Sequence, residues 1–280
     1  MDNLKLFDLI EIIGGGTPRR DVVDYWGGNI DWLSVKDFNT DARYVHSASE
    51  KITQLGLEKS STKMLAAGDI IISARGTVGC LAQLTKPMAF NQSCYGIRRK
   101  ESVDNNFLYY FLKTKISDLK KNSHGAVFDT ITTNTFKILS INLPTLTQQK
   151  IIASVLGALD DKIENNHKIN ETLEEMACTT FKSWFIDFDP VYAKAAGITP
   201  LHMDAETSAL FPSSFGDDGL PIGWNEISFG KLVQPKRGKI ITKKRAKRGE
   251  FPVVAGGVKP AYYHNLFNAK SPVVTISASG

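Results

Sequence analysis

The stretch that decides the fold is TQQKIIASVLGALDDKIENNHKINETLEEMACTTFKSWFIDF at residues 147–188. It contains no proline and a single glycine, Gly157. Its large apolar residues recur mostly every three or four positions, which is the spacing of one face of an α-helix. They are Ile152, Leu156, Leu159, Ile163, Ile169, Leu173, Met176, Phe181 and Trp184. We therefore predict one long helix, capped by Thr147 at its start and with Lys182 near its end.

Such a helix is too long to bury its apolar stripe on one small domain. About 40 residues at about 1.5 Å each make a rod of about 60 Å. Its length favours pairing with a second long helix in a coiled coil, and the alternative is an amphipathic helix of a single bundle. Asn166 and Asn170 interrupt the stripe at its middle, where polar residues fix register and partner number. The predicted coiled-coil interface consists of Ile152, Leu156, Leu159, Ile163, Asn166, Asn170, Leu173, Met176 and Trp184.

Residues 1–146, before the helix, are predicted to form a domain of the α+β class. Short apolar runs rich in β-branched residues predict strands, and glycine-rich turns separate them. The strands are predicted at 30–35, 69–74 and 136–143, and the turns at 14–18, 27–29 and 76–79. Apolar residues at helical spacing over 107–119 predict a helix that covers the strands. We expect a globule built on a bent sheet.

The chain after the helix is predicted to hold a linker at 189–223 and a second module at 224–280. The linker loses all periodicity and contains Pro190, Pro200, Pro212 and Pro221. The second module repeats apolar patterns of the first in the same order. The matched pairs are 4–9 with 227–232, 30–34 with 251–255, and 72–76 with 276–280. We expect this second copy to be incomplete, with a strand at 273–278.

Charge is distributed unevenly along the chain. Residues 1–146 carry 18 Lys and Arg against 15 Asp and Glu, whereas residues 147–225 carry 5 against 12. Residues 226–280 carry 11 against 2. Two basic modules thus flank an acidic middle, an arrangement that suits an extended polyanion such as DNA. The alternative is that the basic end of the chain is only solvated.

Several classes of protein are excluded by composition. The chain has no run of 18 apolar residues, so we predict no membrane span. The three cysteines form no CxxC pair, and the five histidines show no HExxH spacing. The first residues, Met1-Asp2-Asn3, do not have the basic start of a secretory signal. We expect a cytoplasmic protein without a metal site.

Several motifs along the chain are shared with one known family. The helix region contains Leu143-Pro144-Thr145-Leu146-Thr147-Gln148-Gln149-Lys150-Ile151, Leu159-Asp160-Asp161-Lys162-Ile163, Asn170-Glu171-Thr172-Leu173 and Phe181-Lys182-Ser183-Trp184-Phe185-Ile186-Asp187-Phe188-Asp189-Pro190. The first module adds Tyr25-Trp26-Gly27-Gly28, Trp32-Leu33-Ser34-Val35-Lys36-Asp37 and Ser73-Ala74-Arg75-Gly76-Thr77-Val78-Gly79. Together they resemble the specificity subunit of type I restriction-modification systems.

This resemblance implies an architecture and a set of partners. Two target-recognition domains would each read half of a split site in double-stranded DNA, and two long antiparallel helices would set their separation. Methyltransferase (M) subunits and a restriction (R) subunit would dock on the specificity subunit, so the methyl donor and ATP are expected on those partners and no cofactor on this chain. Since this sequence holds no second long helix, we expect the long helix to pair with its own copy in a homodimer. The alternatives are a methyltransferase subunit and, if the natural chain is longer, the missing second helix.

No catalytic motif accompanies the resemblance. A DNA methyltransferase needs an Asn/Asp-Pro-Pro-aromatic tetrapeptide, which the chain does not contain. Asp160-Asp161-Lys162 has the residue types of a Mg²⁺ nuclease, but neighbouring side chains on a helix diverge. The remaining alternatives are a stand-alone DNA-modifying or DNA-cleaving enzyme and a helical adaptor without DNA specificity.

The candidate DNA-binding residues carry the side chains that read bases and hold phosphates. In the first module they are Thr17, Arg19, Arg20, Lys36, Arg75, Thr77, Asn91, Gln92, Ser93 and His124. In the second module they are Lys236, Arg237, Lys239, Lys243, Lys244, Arg245, Lys247 and Arg248, for which phosphate contact is expected. For each of the first set a solvated surface role is the alternative, and Asn91-Gln92 could equally be a structural amide pair.

Overall fold

The computed structural model describes residues 4–40, 42–121, 130–257 and 260–276. The chain divides into two compact units, Met1–Thr179 and Thr180–Gly280. The boundary falls inside the long helix, which therefore belongs to both units. The predicted division into recognition domain, helix, linker and second module is a different partition and stays a prediction.

The first unit is a mixed α and β structure, as predicted. Its strands are β1 (Leu4–Lys5), β2 (Ile10–Gly14), β3 (Trp26–Leu33), β4 (Tyr44–Val45), β5 (Lys51–Ile52), β6 (Met64–Leu65), β7 (Ile70–Ser73), β8 (Leu81–Leu84), β9 (Met88–Phe90), β10 (Cys94–Arg99) and β11 (Ser140–Ile141). Its helices are α1 (Leu6–Leu9), α2 (Gln54–Glu58), α3 (Asn105–Lys121), α4 (Thr133–Ile138) and α5 (Leu146–Phe185), and short 3-10 turns lie at Val23–Tyr25 and Val35–Asp37.

The strands are distributed over two larger sheets. One has the order β2-β10-β7-β8-β4 and the other the order β5-β3-β9-β6. Most neighbours are antiparallel, but β4 runs parallel to β8 and β3 runs parallel to β9. The terminal strands β1 and β11 form a separate antiparallel pair.

The strand β7 shows how the core is divided. Successive side chains of a strand point to opposite faces. Ile70 and Ile72 pack with residues of α3 and α4, whereas Ile71 packs with residues of the second sheet. All three isoleucines are fully buried. The run of three apolar residues is therefore explained by a strand with a core on each face.

Two sequence predictions about the first unit are confirmed and two are wrong. One of the wrong ones is the turn at 27–29, because these residues lie inside β3. The predicted helix at 107–119 is α3, and the predicted strand at 69–74 contains β7. The predicted strand at 136–143 instead begins inside α4, and only Ser140–Ile141 forms a strand. The reason is a capping box, in which the backbone N–H of Thr132 donates to Thr135 Oγ1 at 3.0 Å and starts a helix.

The cap of the long helix lies two residues earlier than predicted. Thr145 caps it, because the Gln148 N–H donates to Thr145 Oγ1 at 3.3 Å and the Thr145 N–H donates to Gln148 Oε1 at 3.0 Å. Thr147 lies exposed in the first turn. The predicted stripe is on the surface of the chain, where Leu159 is 60% exposed and Leu173 56%.

The second unit contains more structure than the predicted linker and module. It holds α6 (Asp189–Ala195), α7 (Ala205–Ala209), α8 (Phe229–Leu232), β12 (Phe251–Val253) and β13 (Tyr262–His264). Pro190 lies in the first turn of α6, and Asp204 caps α7 by accepting from the Thr207 N–H at 2.7 Å. Residues 273–276 form no strand, and the rest of the strand predicted at 273–278 lies outside the described residues.

An aromatic cluster organises the segment that was predicted to be a linker. The ring of Phe185 stacks on that of Trp224 with centroids 6.1 Å apart, and Trp184 meets Phe211 edge-on at 5.8 Å. Large rings supply most of the apolar area of such a small cluster. A search for periodicity does not reveal these contacts, because it cannot connect Trp184 and Phe185 at the end of the helix with Phe211 and Trp224 in irregular segments. Within the described ranges, no helix combines the length and apolarity that crossing a membrane requires.

Candidate nucleic-acid interface

Three loops of the first unit meet at the ends of β2, β7 and β9. The loop after β2 is held by the Gly16 N–H, which donates to the Phe90 carbonyl at 3.0 Å. A side chain at Gly15 would collide with the Asn91 carbonyl, so only glycine permits this approach. The loop after β7 is held by the Ala74 N–H, which donates to the Ser93 carbonyl at 2.8 Å. The two sheets therefore bring together segments 14–20, 74–79 and 91–93, which we call the loop surface.

The loop surface collects most of the candidates predicted in the first module. The hydroxyl of Thr17 donates to Gln92 Oε1, across 75 residues of sequence. Asn91 Oδ1 accepts from the Ser93 N–H at 3.0 Å, which gives it the structural amide role weighed from the sequence. Arg75 and Thr77 are exposed beside them. The loop surface thus presents Arg75, an exposed cation without an ion pair among the described residues, together with several neutral donors and acceptors.

Arg20 is largely engaged within the protein. Its guanidinium lies 3.8 Å from the centroid of the Trp26 ring and forms two hydrogen bonds to the Glu50 carboxylate, at 2.5 and 3.1 Å. That guanidinium holds the pKa of Glu50 below its usual value, because the hydrogen bond favours the charged carboxylate. Lys36 Nζ lies 3.9 Å from the same carboxylate. Two of the predicted DNA-binding cations therefore share one anion.

The remaining candidates of the first module are not part of this arrangement. Arg19 pairs with Asp21, and both side chains are exposed. Such a pair is weak, since water screens both charges. His124 lies outside the described residues. The sequence did not predict Glu50, Trp26 and Trp32 as partners of Arg20. Both tryptophans belong to the motifs on which the family resemblance rests.

The eight basic candidates of the second unit are all exposed. None of the eight forms an ion pair with another described residue. They are Lys236, Arg237, Lys239, Lys243, Lys244, Arg245, Lys247 and Arg248. Their positive field is therefore not neutralised locally, which favours attraction of a polyanion.

The side chains of these surfaces can form hydrogen bonds and ionic contacts. The loop surface offers hydrogen bonds, and the second unit offers positive charge. A search of the described residues finds no group of three or more His, Cys, Asp or Glu side chains placed to hold a metal ion. Asp160 and Asp161 lie on α5, where Asp160 accepts a hydrogen bond from the Tyr110 hydroxyl at 2.7 Å.

Comparison with known families identifies the first unit. The family described as type I restriction modification DNA specificity domain matches residues 1–175. The chain belongs to this family. The matched region includes the loop surface and most of α5, so the specificity domain in this chain comprises both.

Relatives of this specificity domain are found in archaea and bacteria. The chain is 37% identical over 192 residues to the type I restriction enzyme MjaIX specificity subunit of Methanocaldococcus jannaschii, over 68% of this chain and 44% of that protein. It is 28% identical over 155 residues to the EcoR124I/EcoR124II specificity subunit of Escherichia coli, over 52% of this chain and 38% of that protein. The chain thus spans less than half the length of these relatives.

A solved structure shares the fold. The type I restriction-modification S subunit from M. genitalium aligns with a TM-score of 0.50 and 17% identity, over 96% of this chain and 63% of that chain. At this identity the similarity concerns the fold alone. It agrees with the mixed sheets and the long helix of the specificity domain described above.

Proposed function

We propose that this chain is a DNA-recognition subunit of a type I restriction-modification complex and performs no catalysis itself. It directs methyltransferase and restriction subunits to a split site in double-stranded DNA in the cytoplasm. The methyl donor and ATP bind to those partner subunits. The observation that carries this proposal is the family match over residues 1–175, which covers the loop surface and the helix together.

The loop surface supports a role in reading bases. Thr17, Gln92 and Ser93 have the hydroxyl and amide groups that pair with base edges. They lie beside the exposed Arg75, whose guanidinium can pair with guanine or with a phosphate. Because Arg20 and Lys36 are already paired with Glu50, we assign the main cationic contact of this unit with DNA to Arg75.

The helix supports a role in assembly. Leu159, Leu173 and Met176 each expose more than half of their surface. Exposed apolar area costs about 25 cal/mol for each Å² that a partner would bury. We propose that the occupant of this stripe is α5 of a second copy, antiparallel, which places two loop surfaces at opposite ends of the rod.

The test of function is to express the chain with its methyltransferase subunit and to map methylated bases across the host genome. One split motif is expected to be methylated, and Gln92→Ala with Arg75→Ala should change or abolish it. The purified chain alone, with Mg²⁺ or a methyl donor, should leave DNA unaltered. Turnover by the chain alone would instead support the enzyme alternative. Complex formation without any sequence preference would support the adaptor.

A further inference from the structure

One face of α5 is seated on the globule of the first unit. Gln149 is fully buried, Ala153 is 4% exposed and Gly157 is buried. Asp160 and Glu164 continue the same face and are half-buried. The steps of four, four, three and four residues keep all five on one side of the helix. From residue 165 to residue 182 every residue is exposed, so Glu164 is the last contact of this face with the globule.

A buried arginine lies under this face of the helix. Arg43 is 5% exposed, yet it forms no salt bridge with any described residue. Its guanidinium donates to Gln83 Oε1 at 2.9 and 3.1 Å and to Asn106 Oδ1 at 2.6 Å. It also donates to the Tyr110 hydroxyl at 3.0 Å. The positive charge is therefore surrounded by neutral acceptors, and a buried charge in this situation is stabilised by any anion that can be reached.

The anion that is reached is on α5. The Tyr110 hydroxyl accepts from Arg43 and donates to Asp160 Oδ2 at 2.7 Å. Burial and the bond to Asp160 raise the pKa of Tyr110, so the hydroxyl remains a donor at neutral pH. Arg43, Tyr110 and Asp160 thus form a directional chain between the globule and the helix, in which each bond depends on the position of the next group.

The single glycine of α5 lies where this chain approaches the helix. A Cβ built at Gly157 would lie 3.1 Å from Arg43 Nη1. That separation is tighter than ordinary van der Waals contact. A glycine inside a helix is normally unfavourable, because it loses more conformational freedom than alanine. Its presence is explained by the need to bring the helix backbone against the guanidinium.

We infer that Tyr110 is a positioning residue that fixes the direction in which α5 leaves the globule, and that it thereby determines the spacing accepted between the two halves of the DNA site. The spacing part of this inference rests on the proposed function. The direction part concerns the first unit alone and can be tested without DNA.

The length of the helix amplifies a small change in direction. From Asp160 to Thr179 the helix rises by about 28 Å at about 1.5 Å per residue. A tilt of about 10° at Asp160 would displace Thr179 by about 5 Å, which exceeds the rise of about 3.4 Å per base pair. A change of one hydrogen bond at the base of the helix is therefore large enough to alter the spacing by one base pair or more.

The first test measures direction with spin labels on the full chain. One label is placed on the native Cys178, which is exposed, and one on Lys63→Cys, with Cys80→Ser to remove a half-buried thiol. Excess unlabelled chain suppresses distances between copies. One narrow distance distribution is expected, and Tyr110→Phe and Asp160→Ala should each broaden or shift it. The double variant should add little further, because each change alone already breaks the bond between Tyr110 and Asp160.

The matched control is Tyr109→Phe. Tyr109 is the neighbouring buried tyrosine of α3, and its hydroxyl forms no hydrogen bond to another described residue. The control should leave the distribution unchanged. An unchanged distribution in Tyr110→Phe, or an equal change in Tyr109→Phe, would overturn the role of Tyr110 in fixing the helix.

The second test measures spacing through methylation mapped in cells that contain the methyltransferase subunit. The unsubstituted chain should give one spacer length, and Tyr110→Phe should add others with the same half-site bases. If Tyr110→Phe changes the label distances but not the spacer, the link between direction and spacing is wrong. If the unsubstituted chain gives no methylated motif, the proposed function and the spacing claim both fail, while the label measurement still decides the direction claim.

Discussion

At the scale of single residues, candidates that looked equivalent in the sequence have different surroundings. Arg20 stacks on Trp26 and shares Glu50 with Lys36, whereas Arg75 is exposed and has no ion pair among the described residues. A cation that already has an anion must give it up before it can bind a phosphate. We therefore expect Arg75 to contact DNA and Arg20 mainly to stabilise the loop that carries it.

This difference predicts opposite phenotypes for two alanine substitutions. Arg75→Ala should weaken DNA binding by about tenfold, since one good contact is worth about 1–3 kcal/mol, and should leave the thermal midpoint unchanged. Arg20→Ala should destabilise the first unit by about 1–2 kcal/mol, because its stacking on tryptophan is removed. Thermal unfolding and DNA titration of each variant give both values. Arg19→Ala, on an exposed pair, is the control and should not change the thermal midpoint. A stability loss confined to Arg75→Ala would contradict this assignment.

A second prediction at this scale concerns acid stability. Asp31 is 4% exposed, lies 2.6 Å from Lys86 Nζ and accepts from the Ala48 N–H at 3.0 Å. Burial alone would raise the pKa of Asp31, but the bonds from Lys86 and Ala48 outweigh it and the pKa is lowered. A lowered pKa contributes stability above the unfolded value of about 3.9, and this contribution is lost as the pH falls through the folded pKa.

Asp31→Asn should therefore cost about 1.5–3 kcal/mol at pH 7, which is the usual contribution of hydrogen bonds to a charged group. The difference between the variant and the unsubstituted chain should shrink as the pH is lowered below about 4. Urea unfolding at pH 7 and at pH 3 measures it. A difference that stays constant over this range would show that Asp31 is not responsible.

At the scale of elements, the helix α5 has one buried face and one exposed face. The face with Gln149, Ala153 and Gly157 is buried on the globule. The face with Leu159 and Leu173 is exposed and apolar. A helix whose apolar face has no partner is expected to associate, because water is released when that face is covered.

The exposed face predicts self-association of the isolated chain. At micromolar concentration, light scattering should give about twice the mass of 30.9 kDa. Leu159→Asp should restore the monomer with the first unit still folded, since a charge in the centre of an apolar interface is costly. Asn165→Asp adds the same charge off the stripe and should remain a dimer. A monomer before any substitution would contradict the homodimer and favour a methyltransferase subunit as the occupant.

At the scale of the whole chain, positive charge is concentrated in the second unit. Residues 226–280 carry 11 Lys and Arg against 2 Asp and Glu, and all eight candidate side chains there are exposed. If these residues bind phosphates, counterions are released and affinity must fall with salt. The acidic stretch at 147–225 should not take part in this contact.

The salt dependence of DNA binding tests this expectation. Replacing Lys243, Lys244 and Arg245 with alanine should flatten the log–log slope by about 0.9 for each phosphate that is no longer neutralised, without changing base preference. A control variant with the same reduction in charge replaces with alanine three exposed lysines of the first unit, Lys59, Lys63 and Lys150. Equal slopes for the two triple variants would mean that the basic run of the second unit is only solvated.

The sequence by itself determined the features that depend on neighbours along the chain. The long helix, its apolar stripe and the helix α3 followed from periodicity, because a helix repeats every few residues. The strand β7 followed from a short run of β-branched residues. The same reasoning failed at 136–143, where a capping box starts a short helix that has no room for a repeat. Sequence reasoning also placed the helix cap wrongly at Thr147. The cap is Thr145, which forms the capping hydrogen bonds with Gln148 two residues earlier than predicted.

Only the tertiary structure decided which distant residues work together. Glu50 is 30 residues from Arg20, and Asp160 is 117 from Arg43 and 50 from Tyr110, so no local pattern connects them. The globule-facing side of α5 was missed for a further reason, since Gln149, Gly157 and Asp160 are not apolar and leave no stripe. Hydrogen bonds between remote polar groups depend on how the sheets and helices pack, and that packing is a property of the whole chain.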